Sequence, residues 1–159
     1  MPRMKTQQTD SGNDCPGGFR WKQETTLGGK AKKFCWQIDE NNSLHIARKF
    51  KNGDSWRWKI GTFTEEEINM IQAYMEPIRE VILSNDVEDV PAGNADDGLG
   101  RFIFEEIESN PTAAQLSSQI GALFYYAGIW KWNGVKRGIK LQKIPNTNWQ
   151  QKLTERYNA

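Results

Sequence analysis

The chain offers one histidine, His45, and two cysteines, Cys15 and Cys35, to any chemistry that needs a base, a thiolate or a soft metal ligand. Nucleophilic catalysis requires a nucleophile, a base in reach and a group that orients the base. One imidazole, with no GxSxG, phosphate-loop or GxGxxG sequence, supplies no such set. Glu105, Glu106 and Glu108 could pair as carboxylates, but their spacing reads as the solvated side of a helix. A zinc site would need Cys15, Cys35 and His45 to converge with a carboxylate, and their spacing fits no zinc pattern. The acids Asp86, Glu88, Asp89, Asp96 and Asp97 do not follow the spacing of a calcium loop. The expectation is a protein that is not an enzyme and holds neither metal nor cofactor. With no CxxC pair and nothing pointing to secretion, the cysteines are expected to be reduced thiols in a cytoplasmic protein.

The cations are the more informative chemistry. Net charge is +1, yet residues 1–61 carry +6, residues 62–110 carry −11 and residues 111–159 carry +6. Such asymmetry points to nucleic-acid contact, or to an acidic segment that covers a basic surface. No apolar run approaches the ~20 residues of a membrane-spanning helix, and mean hydropathy is −0.75. The N-terminus has no apolar stretch of the signal-peptide kind. Seven Trp and seven Phe argue against general disorder.

Positioning those cations falls first to strands. Phe34, Trp36 and Ile38 alternate with Cys35, Gln37 and Asp39, and then Leu44, Ile46 and Phe50 with His45, Ala47 and Lys49. Asn52-Gly53 reads as the hairpin turn, followed by Trp56, Trp58 and Ile60 with Arg57 and Lys59 between them. Three antiparallel strands are expected, with a fourth over 19–25 at an edge. If the aromatic face packs inward, the other shows Lys49, Arg57, Lys59 and His45, extended by Arg20 and Lys22. An ordinary solvent-facing sheet would also carry such residues. Thr64 and Glu67 have capping-box spacing, Phe63 and Ile68 the spacing of a hydrophobic staple. Ile68, Ile71, Met75, Ile78 and Ile82 recur as one helical face until Pro77 breaks or kinks it.

The organisation expected is a flexible tail over 1–18, a sheet-plus-helix module over 19–84, an acidic linker over 85–100, a second module over 101–145, and a C-terminal tail over 146–159 that can form a helix. In the second module, 101–109 reads as a short helix. Thr112 caps a helix through Ile120, Gly121 allows a turn, and 122–127 forms a third helix. The stretch 129–144 reads as a hairpin turning at Asn133-Gly134. Its cations are Lys131, Lys136, Arg137, Lys140 and Lys143, with Lys136 and Arg137 near the exposed tip.

Residues 44–74, LHIARKFKNGDSWRWKIGTFTEEEINMIQAY, resemble the plant ethylene-response-type DNA-binding domain and the arm-binding domains of tyrosine integrases, through Gly61-Thr62-Phe63 before Glu65, Glu66 and Glu67. The resemblance implies three strands and a packed helix, with Lys49, Arg57 and Lys59 against DNA. A similar strand–helix ending occurs in single-stranded-DNA-binding transcriptional coactivators, which leaves strandedness open. Residues 101–144 are similar in pattern to winged-helix domains, with TAAQLSSQIG as the first helix of the helix-turn-helix pair. The expected fold class is α+β: an antiparallel three- or four-stranded sheet on a helix, then a winged-helix-like module. The expected function is binding of nucleic acid, most naturally DNA, by an accessory or regulatory protein such as a mobile element carries. The alternative is a protein-interaction or inhibitor module whose acidic middle segment mimics nucleic acid, or whose C-terminal aromatics dock a protein.

Overall fold

Alternation of apolar and polar residues draws the first half of the chain into a sheet, seen in a computed structural model that describes residues 4–8, 15–17, 20–86 and 88–159. Strands β2 (Lys22–Thr25), β3 (Lys33–Ile38), β4 (Leu44–Asn52) and β5 (Ser55–Phe63) form an antiparallel meander, and β1 (Met4–Gln8) joins it beside β5. The expected tail therefore contains an edge strand, while 1–3, 9–14, 18 and 19 lie outside the described residues. Asn52 pairs with Ser55, so the β4–β5 turn is Gly53-Asp54 rather than Asn52-Gly53, and Gly53 takes the positive φ of 65°.

The Thr64–Glu67 capping box starts α1 (Glu65–Tyr74), and Ile68, Ile71 and Met75 are buried beneath it. The helix ends before Pro77, whose ring cannot continue it. Ile78, expected on the buried face, is 77% exposed because the turn after Tyr74 carries it outward. The chain then gives β6 (Val81–Ile82), α2 (Asp89–Ala92), and α3 (Leu99–Phe102), which runs into a π-helical turn over Ile103–Ile107. Helices α4 (Pro111–Gln115) and α5 (Ser117–Tyr126) follow. Asn110, not Thr112, caps α4, because Pro111 takes the first helical position. Gly121 makes no turn; it lies within α5, where a Cβ would come 2.7 Å from the Leu141 side chain.

Strands β7 (Trp130–Trp132) and β8 (Lys140–Lys143) complete a second sheet of order β6–β8–β7, and α6 (Trp149–Asn158) closes the chain. The fold is α+β. The segments expected as two modules share one core: Trp36, Leu44 and Phe63 from the first sheet, Ile68 and Ile71 from α1, and Leu123, Trp130, Leu141 and Leu153 beyond it form one cluster. Buried cross-links reinforce it, including Trp130 Nε1 donating to Gln72 Oε1 at 2.6 Å. Nor does 85–100 run free as a linker: Val90 and Leu99 are buried, and Asp97 accepts a hydrogen bond from the Tyr74 hydroxyl at 2.8 Å.

Cys15 and Cys35 are joined in a disulfide, correcting the expectation of reduced thiols. Alternation puts Cys35 on the outer face of the sheet. Cys15 lies against that face with its Cα 5.8 Å from that of Cys35, within bridging reach. With Trp21, Ala47, Trp58 and Ile60 the bridge builds a small second core there. No helix of the described residues is long and apolar enough to cross a membrane.

Candidate functional site

The face expected to gather the sheet's cations does not exist as one surface. A two-residue turn pairs Arg48 with Lys59, Lys49 with Trp58 and Phe50 with Arg57. Partners across a sheet point the same way. Lys49 and His45 therefore lie on the outer face, with the Lys49 ammonium 5.3 Å from the Trp58 ring centre. Arg57 and Lys59 lie on the inner face, beside Phe50 and Arg48. Arg48 was missed because it occupies an inward position in the run Leu44, Ile46, Arg48. The available signal was a charge where the alternation calls for an apolar residue.

His45 is held from both sides, by Asp39 at 2.9 Å through Nε2 and by Thr62 at 2.8 Å through Nδ1. This ties the β3–β4 turn to β5. Burial pushes the Asp39 carboxyl up, but hydrogen bonds from His45 and the Ser43 and Asn41 backbone outweigh it and hold the group below its ordinary value.

The remaining expected cations disperse. The Arg20 carbonyl accepts the Tyr157 hydroxyl, and Lys22 donates to the Ala159 carbonyl oxygen at 3.0 Å. Lys131 and Lys140 are exposed on the second sheet, and Lys143 pairs with Glu76. Lys136 and Arg137 depart most from expectation. Because Trp132 pairs with Leu141, 133–139 is a seven-residue loop rather than a tight Asn133-Gly134 turn. The loop folds back on the β2–β3 connection, where the Gly29 N–H donates to the Lys136 carbonyl at 3.4 Å. Gly28 permits this approach: it has φ of 97°, and a Cβ there would lie 2.9 Å from the Lys136 carbonyl oxygen.

Between these loops and α4–α5 opens a cleft of about 680 Å³. Lys30, Lys32, Arg48, Lys136 and Arg137 line it, against one carboxylate, Asp86. The Arg48 guanidinium donates to Gln115 Oε1 at 2.9 Å, and its Nε is buried with no partner among the described residues. Gln119, also in the lining, has a buried Oε1 without a donor among the described residues. Lys59 reaches Thr112 Oγ1 at 3.3 Å. Burial holds the Arg48 group below its ordinary value; burial first, and then the Arg48 charge, does the same to Lys59. Among the described residues no carboxylate pairs with either cation.

The chain matches no protein-family model, no curated protein and no solved structure. Adjacent, partly desolvated cations without a counter-charge cost free energy in the empty state. An oxyanion such as a phosphate relieves that cost with short, charge-assisted hydrogen bonds. In the second cleft, of about 330 Å³, Asp86, Asp89 and Asp96 offer oxygen atoms. Among the described residues no three acidic, His or Cys groups are placed to hold a metal ion.

Proposed function

We propose that this protein binds nucleic acid, acting as an accessory or regulatory factor by binding rather than by catalysis, and that the backbone phosphates enter the cleft between the β2–β3 connection and the 133–139 loop. The observation that carries this reading is Arg48 beside Lys59, two partly buried cations without a carboxylate among the described residues, at a cleft lined by five cations and one acid. Contacts of this kind position a strand without reading its bases. The succession of α3, α4 and α5 before the β7–β8 hairpin supports the winged-helix-like reading of this half. The cations of its loop then serve the phosphates as a wing would. DNA is the first polymer to test, following the resemblance of residues 44–74.

The test is fluorescence anisotropy of a labelled DNA oligonucleotide at 50 and 200 mM salt. Five phosphate contacts predict an affinity loss of about 100- to 500-fold across that range, from slopes of about −0.7 per contact on single strands and −0.9 on duplex. Reversing Lys136 and Arg137 to Glu should weaken all sequences alike while leaving the melting temperature unchanged. No binding at 50 mM salt would overturn the reading in favour of protein docking through the acidic segment.

A further inference from the structure

Past the mouth of the cleft, the inner face of the β4–β5 hairpin continues beyond the helices that cover its other end. Cross-strand pairing places Arg48 opposite Lys59 and Phe50 opposite Arg57 on this one face. Phe50 is partly exposed, and neither cluster of buried side chains among the described residues includes it. A strand leaving its core ordinarily turns polar on that face, as the next inward residue, Asn52, does. Phe50 instead stands among three cations, with the Lys59 ammonium 5.1 Å from its ring centre. Lys59 is shared between this ring and the Thr112 hydroxyl, both weaker partners for an ammonium than a phosphate is.

An aromatic ring in a basic strip gives little to a duplex, whose bases show only their edges in the grooves. An unpaired base presents its whole face, and stacking on an aromatic side chain is sequence-tolerant because every base has such a face. Building on the nucleic-acid reading above, we infer that the strip takes a single strand: Arg48, Lys59 and Arg57 follow its phosphates out of the cleft while one base stacks on Phe50. The preference for single strands then resides in one ring, and the phosphate affinity resides in the cations around it.

The experiment uses the full chain with a labelled 12-nucleotide DNA, alone and annealed to its complement, at one salt concentration. The single strand should bind more tightly. Phe50→Ala should weaken it about five- to 150-fold, the range for one stacked base, and leave the duplex unaffected. Phe50→Leu keeps the apolar bulk and guards against a folding defect; it should reproduce the loss, whereas Phe50→Trp should restore binding. Trp56→Ala, exposed on the opposite face, should change neither affinity. Leu binding like the parent, or a loss that follows Trp56 instead of Phe50, overturns the inference. A duplex bound as well as the single strand overturns it too, but leaves nucleic-acid binding standing. Binding of neither form removes both.

Discussion

The two faces of the first sheet are built from alternate residues of the same strands, yet they treat charge in opposite ways. On the outer face, Lys49 lies over Trp58, His45 is clamped by Asp39 and Thr62, and a disulfide holds Cys15 beside Ala47 and Ile60. Lys49 and His45 there each have a local partner. On the inner face, Arg48 and Lys59 sit where the apolar core gives out, with an amide and a hydroxyl for partners and no carboxylate among the described residues. The outer face is finished by folding, while the inner one is left electrostatically incomplete. Cation count alone does not separate them; the partners of each cation do.

Breaking the outer face should cost the most stability. Removing a disulfide across a separation of 20 residues should lower unfolding free energy by about 3 kcal/mol, because the unfolded chain regains its loop entropy. Urea denaturation with and without reductant measures this, and oligonucleotide affinity of the still-folded protein should not change. Arg48→Met tests the inner face from the other side. It should weaken oligonucleotide binding by about 1.5–3 kcal/mol, the range for hydrogen bonds to a charged group. The thermal midpoint should hold or rise, since an unpaired, partly buried charge is replaced by apolar packing. A fall in stability without loss of binding would make Arg48 a structural residue.

The pair Lys59→Ala and Lys49→Ala sharpens the contrast with one lysine from each face. The first should reduce affinity and lower the salt slope by about 0.7–0.9, one phosphate contact. The second should leave both unchanged. The smallest effect is expected at Asp39. Its folded-state carboxyl lies below the ordinary value of 3.8, so its contribution is complete above that value and is lost as pH falls through the folded one. The group is partly exposed and screened, so the contribution is well under about 1 kcal/mol. Asp39→Asn should therefore lower the melting temperature slightly at neutral pH and remove its shallow acid-side decline.

Local signals carried much of this architecture. The strand alternation and the Thr64–Glu67 cap each depend on a few neighbouring residues and appear as read, whereas the helical face expected to run on to Ile82 ends at Tyr74, and Ile82 lies in a strand. The face assignment failed on one point of geometry. A two-residue turn joins strands so that even-numbered positions of β4 face odd-numbered positions of β5. Leu44, Arg48 and Phe50 therefore share a side with Phe63, Lys59 and Arg57, not with Trp56 and Trp58. The cleft was less accessible to sequence reasoning. Its cations come from Lys30, Lys32, Arg48, Lys136 and Arg137, the first and last more than a hundred residues apart, and are joined by a loop reversal that depends on Gly28. The disulfide was hidden for the same reason: nineteen intervening residues say nothing about which face of the sheet Cys15 will meet.

The closing helix has a consequence for how the molecule comes into being. Arg156 on α6 holds Glu24 on β2 through two hydrogen bonds of 2.5 and 2.9 Å, and Tyr157 meets the Trp36 ring edge-on at 5.5 Å. A nascent chain emerging in order can pair β3, β4 and β5 early, through a short turn and local contacts. It cannot cover Trp36 until more than a hundred further residues have been made. Contacts of such sequence separation are slow to form because a long loop must close before they give any return. During synthesis the first sheet waits with an aromatic surface uncovered, in the condition that makes partly folded chains adhere to one another. The charged hairpin strip beside that surface, repelling its own kind, is what such an intermediate presents to its neighbours.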